Sequence, residues 1–219
     1  VSPTPKIPAR GASAPASHEF AEAFVPQPDG ADAARAEAAS LGLECVSTGT
    51  AAALTFLATT LKARSVVEIG TGTGVASLAL LAGMAPDGVL TSIDAETDLQ
   101  LRARHALAGV GVPTRRARLI AGQALEVLPK LTDGAYDLVF VDGDALEYVE
   151  YVAQASRLLR SGGVLVLNHA LWQGRVADDA DDADEPLIIR EALDAVRSDE
   201  GFTPVLLPVG DGLLVAVRS

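Results

Sequence analysis

Hydrophobic positions in this chain occur in two kinds of run. Short segments at 65–69, 89–93, 116–120, 137–141 and 163–167 read as strands, and longer segments of helical spacing separate them. This alternation predicts parallel βαβ units in one sheet with helices on both faces. The fourth run, Asp137-Leu138-Val139-Phe140-Val141, reads as a central strand buried on both sides. Two final runs, 204–209 and 213–218, are joined only by Gly210-Asp211-Gly212. That link is too short for a parallel crossover, so the runs predict an antiparallel hairpin. Upstream of the first strand the pattern predicts helices over 18–25, 31–41 and about 50–61, and downstream one over 187–197. Residues 1–17 are rich in Pro, Ala and Ser and lack the apolar core of a signal peptide. They read as a mobile tail ahead of one domain spanning 18–219.

Candidate chemistry enters at the first strand. Glu68-Ile69-Gly70-Thr71-Gly72-Thr73-Gly74 follows Ser65-Val66-Val67 and precedes a helical stretch from Val75 to Met84, giving strand, glycine turn and helix. Glycines let the backbone turn sharply and approach a ligand without a Cβ in the way, and the helix N-terminus offers free amides. Glu68 bears on which ligand is meant. A diphosphate over this turn would meet a like charge, whereas S-adenosylmethionine brings an ammonium, so the motif leans toward the methyl donor. Asp94, 24 residues after Gly70, ends the second strand, where it can accept hydrogen bonds from both hydroxyls of an adenosine ribose. Each feature also has a plain structural reading. Glycine turns close helices against strands, and Asp94 precedes Ala95-Glu96-Thr97-Asp98, the start of another helix that it could cap.

At 219 residues and 22.5 kDa the chain can bury one α/β core and is short for two domains. A net charge of −12 and a pI near 4.6 repel phosphate backbones and anionic membranes, which argues against nucleic acid as substrate and against a membrane site. The longest apolar stretches, such as 76–85, are near half the length of a membrane span. The single cysteine, Cys45, excludes an internal disulfide and a multi-cysteine metal site and fits a reducing cytoplasm.

Five motifs and a short preceding segment carry a family resemblance from about residue 31 to the C-terminus: Val46-Ser47, then EIGTGTG at 68–74, SIDAE at 92–96, AGQALEVLP at 121–129, YDLVFVDGD at 136–144 and LLRSGGVLVL at 158–167. The chain resembles the S-adenosylmethionine-dependent O-methyltransferases related to caffeoyl-CoA and catechol O-methyltransferases, in particular their small bacterial members. The resemblance implies an α/β, Rossmann-like seven-stranded methyltransferase sheet, mostly parallel with a C-terminal antiparallel hairpin. It implies S-adenosylmethionine as cofactor, with Gly70, Gly72 and Gly74 lining the methionine end beside Glu68 and Thr71, and Val46 and Ser47 covering it. Asp94 would hold the ribose, Ala95 would touch the adenine, and Gly122, Gln123 and Ala124 would form the adenine pocket, with Asp142 also at the cofactor. Ala76 and Gln123 depart from residues common in relatives, and backbone contacts can absorb both changes. Family habit adds a small hydroxylated acceptor and a homodimer.

The catalytic end departs further. In the family a divalent cation is held by an aspartate after the fourth strand and an aspartate-asparagine pair after the fifth, with a lysine shortly after the first aspartate as base. Asp142 matches the first ligand, but Ala145 stands at the lysine position and the pair reads Asn168-His169. An amide in place of a carboxylate removes a negative charge, and imidazole prefers softer metals, so magnesium affinity should fall. Three readings stay open. Asp142 and His169, with Asn168 beside them, form a rebuilt site for Mn²⁺, Fe²⁺ or Zn²⁺. Or transfer is metal-free with His169 as general base, since imidazole's ordinary acidity suits that task. Or Asn168 and His169 only cap the strand end. Asp144 and Tyr148 keep family positions yet read equally as a helix cap and a packing residue.

The acidic run at 178–185 lacks the ligand alternation and glycine of a calcium loop and reads as a solvated flap near the acceptor pocket. Such a flap disfavours anionic acceptors such as acyl-CoA thioesters. The expected activity is methyl transfer from S-adenosylmethionine to a hydroxyl of a small acceptor. Two other readings are methylation of a tRNA wobble nucleotide, which needs a basic stripe, and cofactor binding without turnover.

Overall fold

The computed structural model describes residues 14–219. Three helices, α1 (Ala14–Glu22), α2 (Ala31–Ser40) and α3 (Thr48–Leu61), precede the sheet. Then come β1 (Ser65–Ile69), α4 (Val75–Gly83), β2 (Val89–Asp94), α5 (Thr97–Gly109), β3 (Ala117–Ala121), α6 (Ala124–Val127) and β4 (Tyr136–Val141). The chain closes with α7 (Tyr148–Leu158), β5 (Leu159–Leu167), α8 (Asp184–Ser198), β6 (Phe202–Leu207) and β7 (Leu213–Arg218). The seven strands form one sheet in the order β3-β2-β1-β4-β5-β7-β6. Strands β1 to β5 pair in parallel, and β7 inserts antiparallel between β5 and β6. The expected hairpin and the mostly parallel seven-stranded sheet are both present.

Residues 1–13 of the expected N-terminal tail lie outside the described residues, while 14–17 already form the first turn of α1. Pro15 is compatible with that, because the first helical turn has no amide bond to lose. Strand β5 starts at Leu159, four residues ahead of the run that announced it; only its last five residues are all buried, and only those form a continuous apolar run. Strand β6 is displaced by two residues toward the N-terminus and carries Pro204, which the sheet edge tolerates because the missing N–H has no outer partner.

Strand alternation splits the core into two layers. Val67, Ile69, Val139, Val141, Leu165 and Leu167 face Tyr148, Val152, Leu158, Ile189 and Val196 of α7 and α8. Val66, Leu90, Leu138, Phe140, Val164 and Val166 face Leu54 of α3 and Leu78 and Leu80 of α4. Strand order reverses between β1 and β4, so their following segments diverge and leave a crevice at the carboxyl ends of the strands. Among the described residues no helix is long and apolar enough to cross a membrane.

Candidate active site

The crevice is closed at its base by glycine. Asp142 N donates to Ile69 O at 2.8 Å, drawing the end of β4 against that of β1. Gly70 has φ +90°, and a Cβ there would lie 2.1 Å from the Asp142 carbonyl oxygen, so no other residue lets the two strand ends meet. Gly72, at φ +51°, has no atom within 4 Å of an added Cβ: its face is bare to the crevice. Gly74 caps α4 at φ +93°. Asp94 braces the turn from the neighbouring strand, its Oδ2 accepting from the amides of Thr71 and Gly72 at 2.9 Å each and its Oδ1 from Glu96 N at 2.8 Å.

Two cavities of about 190 and 350 Å³ share Gly70, Asp94 and Asp142 and form one cleft over this turn. The smaller contains Val46, Thr71 and Gly72; the larger contains Ala95, Gly122, Gln123, Ala124 and Tyr151. Val46 is held in place by Arg35, which donates to its carbonyl at 2.6 Å. Glu44, Asp94, Asp142, Asp144 and Glu147 line the cleft and no Lys or Arg does, a lining that suits a cationic ligand and repels a diphosphate.

Of the residues expected at the cofactor, Glu68 is not in the cleft. It is fully buried under α4, where Ser77 Oγ donates to its Oε2 and its Oε1 has no protein partner. Burial pushes its carboxyl up to about 8, against the pull of the Ser77 and Ser92 hydroxyls and with help from Asp142 and Asp94. The cause of the placement is strand alternation: Ile69 and Glu68 point to opposite faces, and Ile69, not Glu68, lines the larger cavity. Ser47 is one step removed as well. It caps α3, accepting from Thr50 N at 3.0 Å, and lines a third cavity.

That third cavity, about 310 Å³, shares Cys45 and Val46 with the cleft and is bounded by His18, Glu22, Ser47, Asn168, His169, Gly210 and Asp211. At its floor Asn168 Nδ2 donates to Asp142 Oδ1 at 2.7 Å, and His169 Nε2 lies 3.6 Å from the same oxygen. His169 Nδ1 is 3.0 Å from Asp211 Oδ2, and Asp211 Oδ1 accepts from Gln173 N at 2.6 Å. An ionised carboxylate only accepts, so the contact with Asp211 selects the tautomer of the neutral ring that carries its hydrogen on Nδ1. Trp172 packs edge-on against the imidazole at 5.9 Å. His169, Trp172 and Gln173 all have positive φ, three of the four such non-glycine residues among those described, which concentrates backbone strain at this corner. Burial pushes Asp142 up to about 6, opposed by His169 and by the Asn168 amide.

Residues 34–219 match the sequence family described as O-methyltransferase. The chain belongs to that family. A Mycolicibacterium smegmatis protein named as an O-methyltransferase is 48% identical over 188 residues, covering 85% of this chain and 89% of that one. A Corynebacterium glutamicum protein of known structure aligns with TM-score 0.87 at 30% identity, over 94% of this chain and 96% of its own. The O-methyltransferase TomG of Streptomyces achromogenes, solved in complex with SAM and involved in tomaymycin synthesis, gives TM-score 0.83 at 27% identity over 92% and 94% of the two chains. The expected enzyme class, an S-adenosylmethionine-dependent O-methyltransferase, is thereby met.

This O-methyltransferase does not reproduce the cation site that the resemblance implies. A hard divalent ion needs several oxygen donors free to turn toward it. Here Asn168 presents an N–H to Asp142, and His169 Nδ1 is engaged by Asp211. Among the described residues no group of three or more His, Cys, Asp or Glu side chains is arranged to hold a metal. Asp142, Asn168 and His169 do come together, but as a hydrogen-bonded cluster that does not fit the ion.

Sequence reading missed Asp211 and Glu22. Asp211 lies 42 residues from His169 inside a Gly-Asp-Gly turn, where a turn explains it fully and no local pattern ties it to a histidine. Asp144 caps the turn before α7 by accepting from Leu146 N at 3.0 Å, and Tyr148 is buried with its hydroxyl donating to Asn168 O at 3.2 Å, as the packing readings had it. The acidic run is solvated as expected, with Asp178, Asp179, Asp182 and Asp184 exposed, and it is tied down at one point, where Asp181 pairs with Arg175 at 2.7 Å.

Proposed function

We propose that this O-methyltransferase binds S-adenosylmethionine in the double cleft and methylates a hydroxyl of a small acceptor in the adjoining 310 Å³ cavity, with His169 as general base and no divalent ion. The observation that carries the reading is His169 held at Nδ1 by Asp211 with Nε2 turned toward Asp142. When bound, S-adenosylmethionine supplies a methyl group on a positively charged sulfur, open to in-line displacement. The residues do the rest. Gly72 offers a bare backbone face, Asp94 accepts hydrogen bonds at the ribose position, and Ala95, Gly122, Gln123 and Ala124 wall the larger cavity. The five carboxylates of the cleft favour a cationic cofactor. Nε2 takes the acceptor's hydroxyl proton, and the imidazolium then sits between Asp211 and Asp142. Holding two substrates in neighbouring cavities supplies the proximity contribution. Absence of Lys and Arg from all three cavity linings supports a neutral small molecule over nucleic acid.

The test is transfer of labelled methyl from S-adenosylmethionine to a panel of small phenols and catechols. Transfer is expected to survive chelator treatment and to fall on the order of 10²-fold to 10⁴-fold in His169→Gln. Activity lost to chelator and restored by Mn²⁺, or unchanged in His169→Gln, would overturn the mechanism.

A further inference from the structure

We propose that Glu22 is a positioning residue that latches helix α1 over the acceptor cavity and, through the turn it holds, fixes the Asp211–His169 pair. The second half of this inference rests on the reading of His169 as base. From Pro15 to Pro26 every residue is exposed except Glu22. Its carboxylate reaches two distant backbone sites: Oε2 accepts from Gly49 N at 2.6 Å and from Thr48 Oγ1 at 3.2 Å, and Oε1 accepts from Gly210 N at 2.9 Å, across 188 residues of sequence. Gly49 belongs to the first turn of α3, where Ser47 already caps the Thr50 amide and where the positive end of the helix dipole lies. These bonds hold the Glu22 carboxyl below its ordinary range although burial acts the other way.

Glycine leaves room for these contacts at both receiving sites. A Cβ at Gly49 would lie 2.5 Å from Glu22 Oε1, and one at Gly210 would lie 2.6 Å from Thr50 Oγ1 and 2.8 Å from Ser47 Oγ. The latch therefore brings α1, the start of α3 and the β6–β7 turn to one point, directly beside Asp211. His18 and Glu22, one helical turn apart on α1, also line the cavity that holds His169. Releasing the carboxylate removes part of the cavity wall and frees the turn that orients the base.

The experiment compares the wild-type chain with Glu22→Gln, using amide hydrogen exchange of the free protein and nitrogen NMR of the His169 ring. Gly49 and Gly210 amides should exchange about tenfold faster or more in the variant, and the ring, held as the Nδ1–H tautomer in the wild type, should become a mixture. Gly49→Ala, which drives a methyl group into the carboxylate, should reproduce both changes. Unchanged exchange at Gly49 and Gly210 overturns the latch. Faster exchange with an unchanged ring overturns the coupling to His169. Neither readout requires turnover, so an active His169→Gln enzyme would refute the base assignment alone and leave the latch standing.

Discussion

Glu68→Gln is a direct measurement of what the fold does to one carboxylate. Glu68 is fully buried, one of its oxygens has no protein partner, and Asp142 and Asp94 lie close enough to disfavour its charge. The result is a folded-state value of about 8 against 4.5 for an ordinary glutamate. The native state therefore holds a proton between those two values that the unfolded chain has released. Stability from this group is complete below about pH 4.5, declines as pH rises through the window, and is gone above about pH 8. At about 1.4 kcal/mol per pH unit, the whole span amounts to about 5 kcal/mol as an upper figure. Glutamine keeps the shape and an acceptor for Ser77 without the titration. Urea unfolding of both proteins between about pH 5 and about pH 8 should show the variant gaining on the wild type by about 1.4 kcal/mol per unit. The Asp142 shift is present in both proteins and drops out of the difference. Parallel stability curves would refute the reasoning and mean that Glu68 is ionised in the fold.

Three further outcomes are expected. Gly70→Ala should lose about 3 kcal/mol or more of unfolding free energy from the left-handed backbone and the collision with the Asp142 carbonyl; wild-type stability would show that the β1–β4 contact is looser than described. Asp94→Ala should weaken S-adenosylhomocysteine binding in calorimetry by about tenfold to a hundredfold, through the lost acceptor and the loosened glycine turn, and unaltered affinity would remove Asp94 from the site. Tyr148→Phe should cost about 1 kcal/mol in thermal or urea unfolding, because the Asn168 carbonyl loses its buried donor, and a neutral result would mean that another group replaces it.

The architecture was legible because each strand carries its own local signal. The runs at 65–69 and 137–141 mark β1 and most of β4 since both faces of a central strand must be apolar, and the short Gly210-Asp211-Gly212 link forces the antiparallel return of β7. The glycine turn was legible for a similar reason: Gly70 is dictated by backbone geometry at one point, and that requirement appears in the sequence as glycine. Boundaries at polar stretches were not legible. Residues 159–162 pair irregularly and have no apolar period, and Pro204 is acceptable only because β6 lies at the sheet edge.

Sequence alone determined the enzyme family, the sheet and the set Asp142, Asn168 and His169, because local periodicity and contiguous motifs encode these. Tertiary structure decided what that set is. It placed Asp211 against His169 and Asn168's amide against Asp142, brought Glu22 to Gly210, and hid Glu68 beneath the turn it seemed to serve. Those contacts join residues far apart in the chain, or depend on which face of a strand a side chain occupies. Hydrogen bonding and burial, not residue identity, then fix whether each carboxylate holds an imidazole, bridges two backbone amides or keeps a proton.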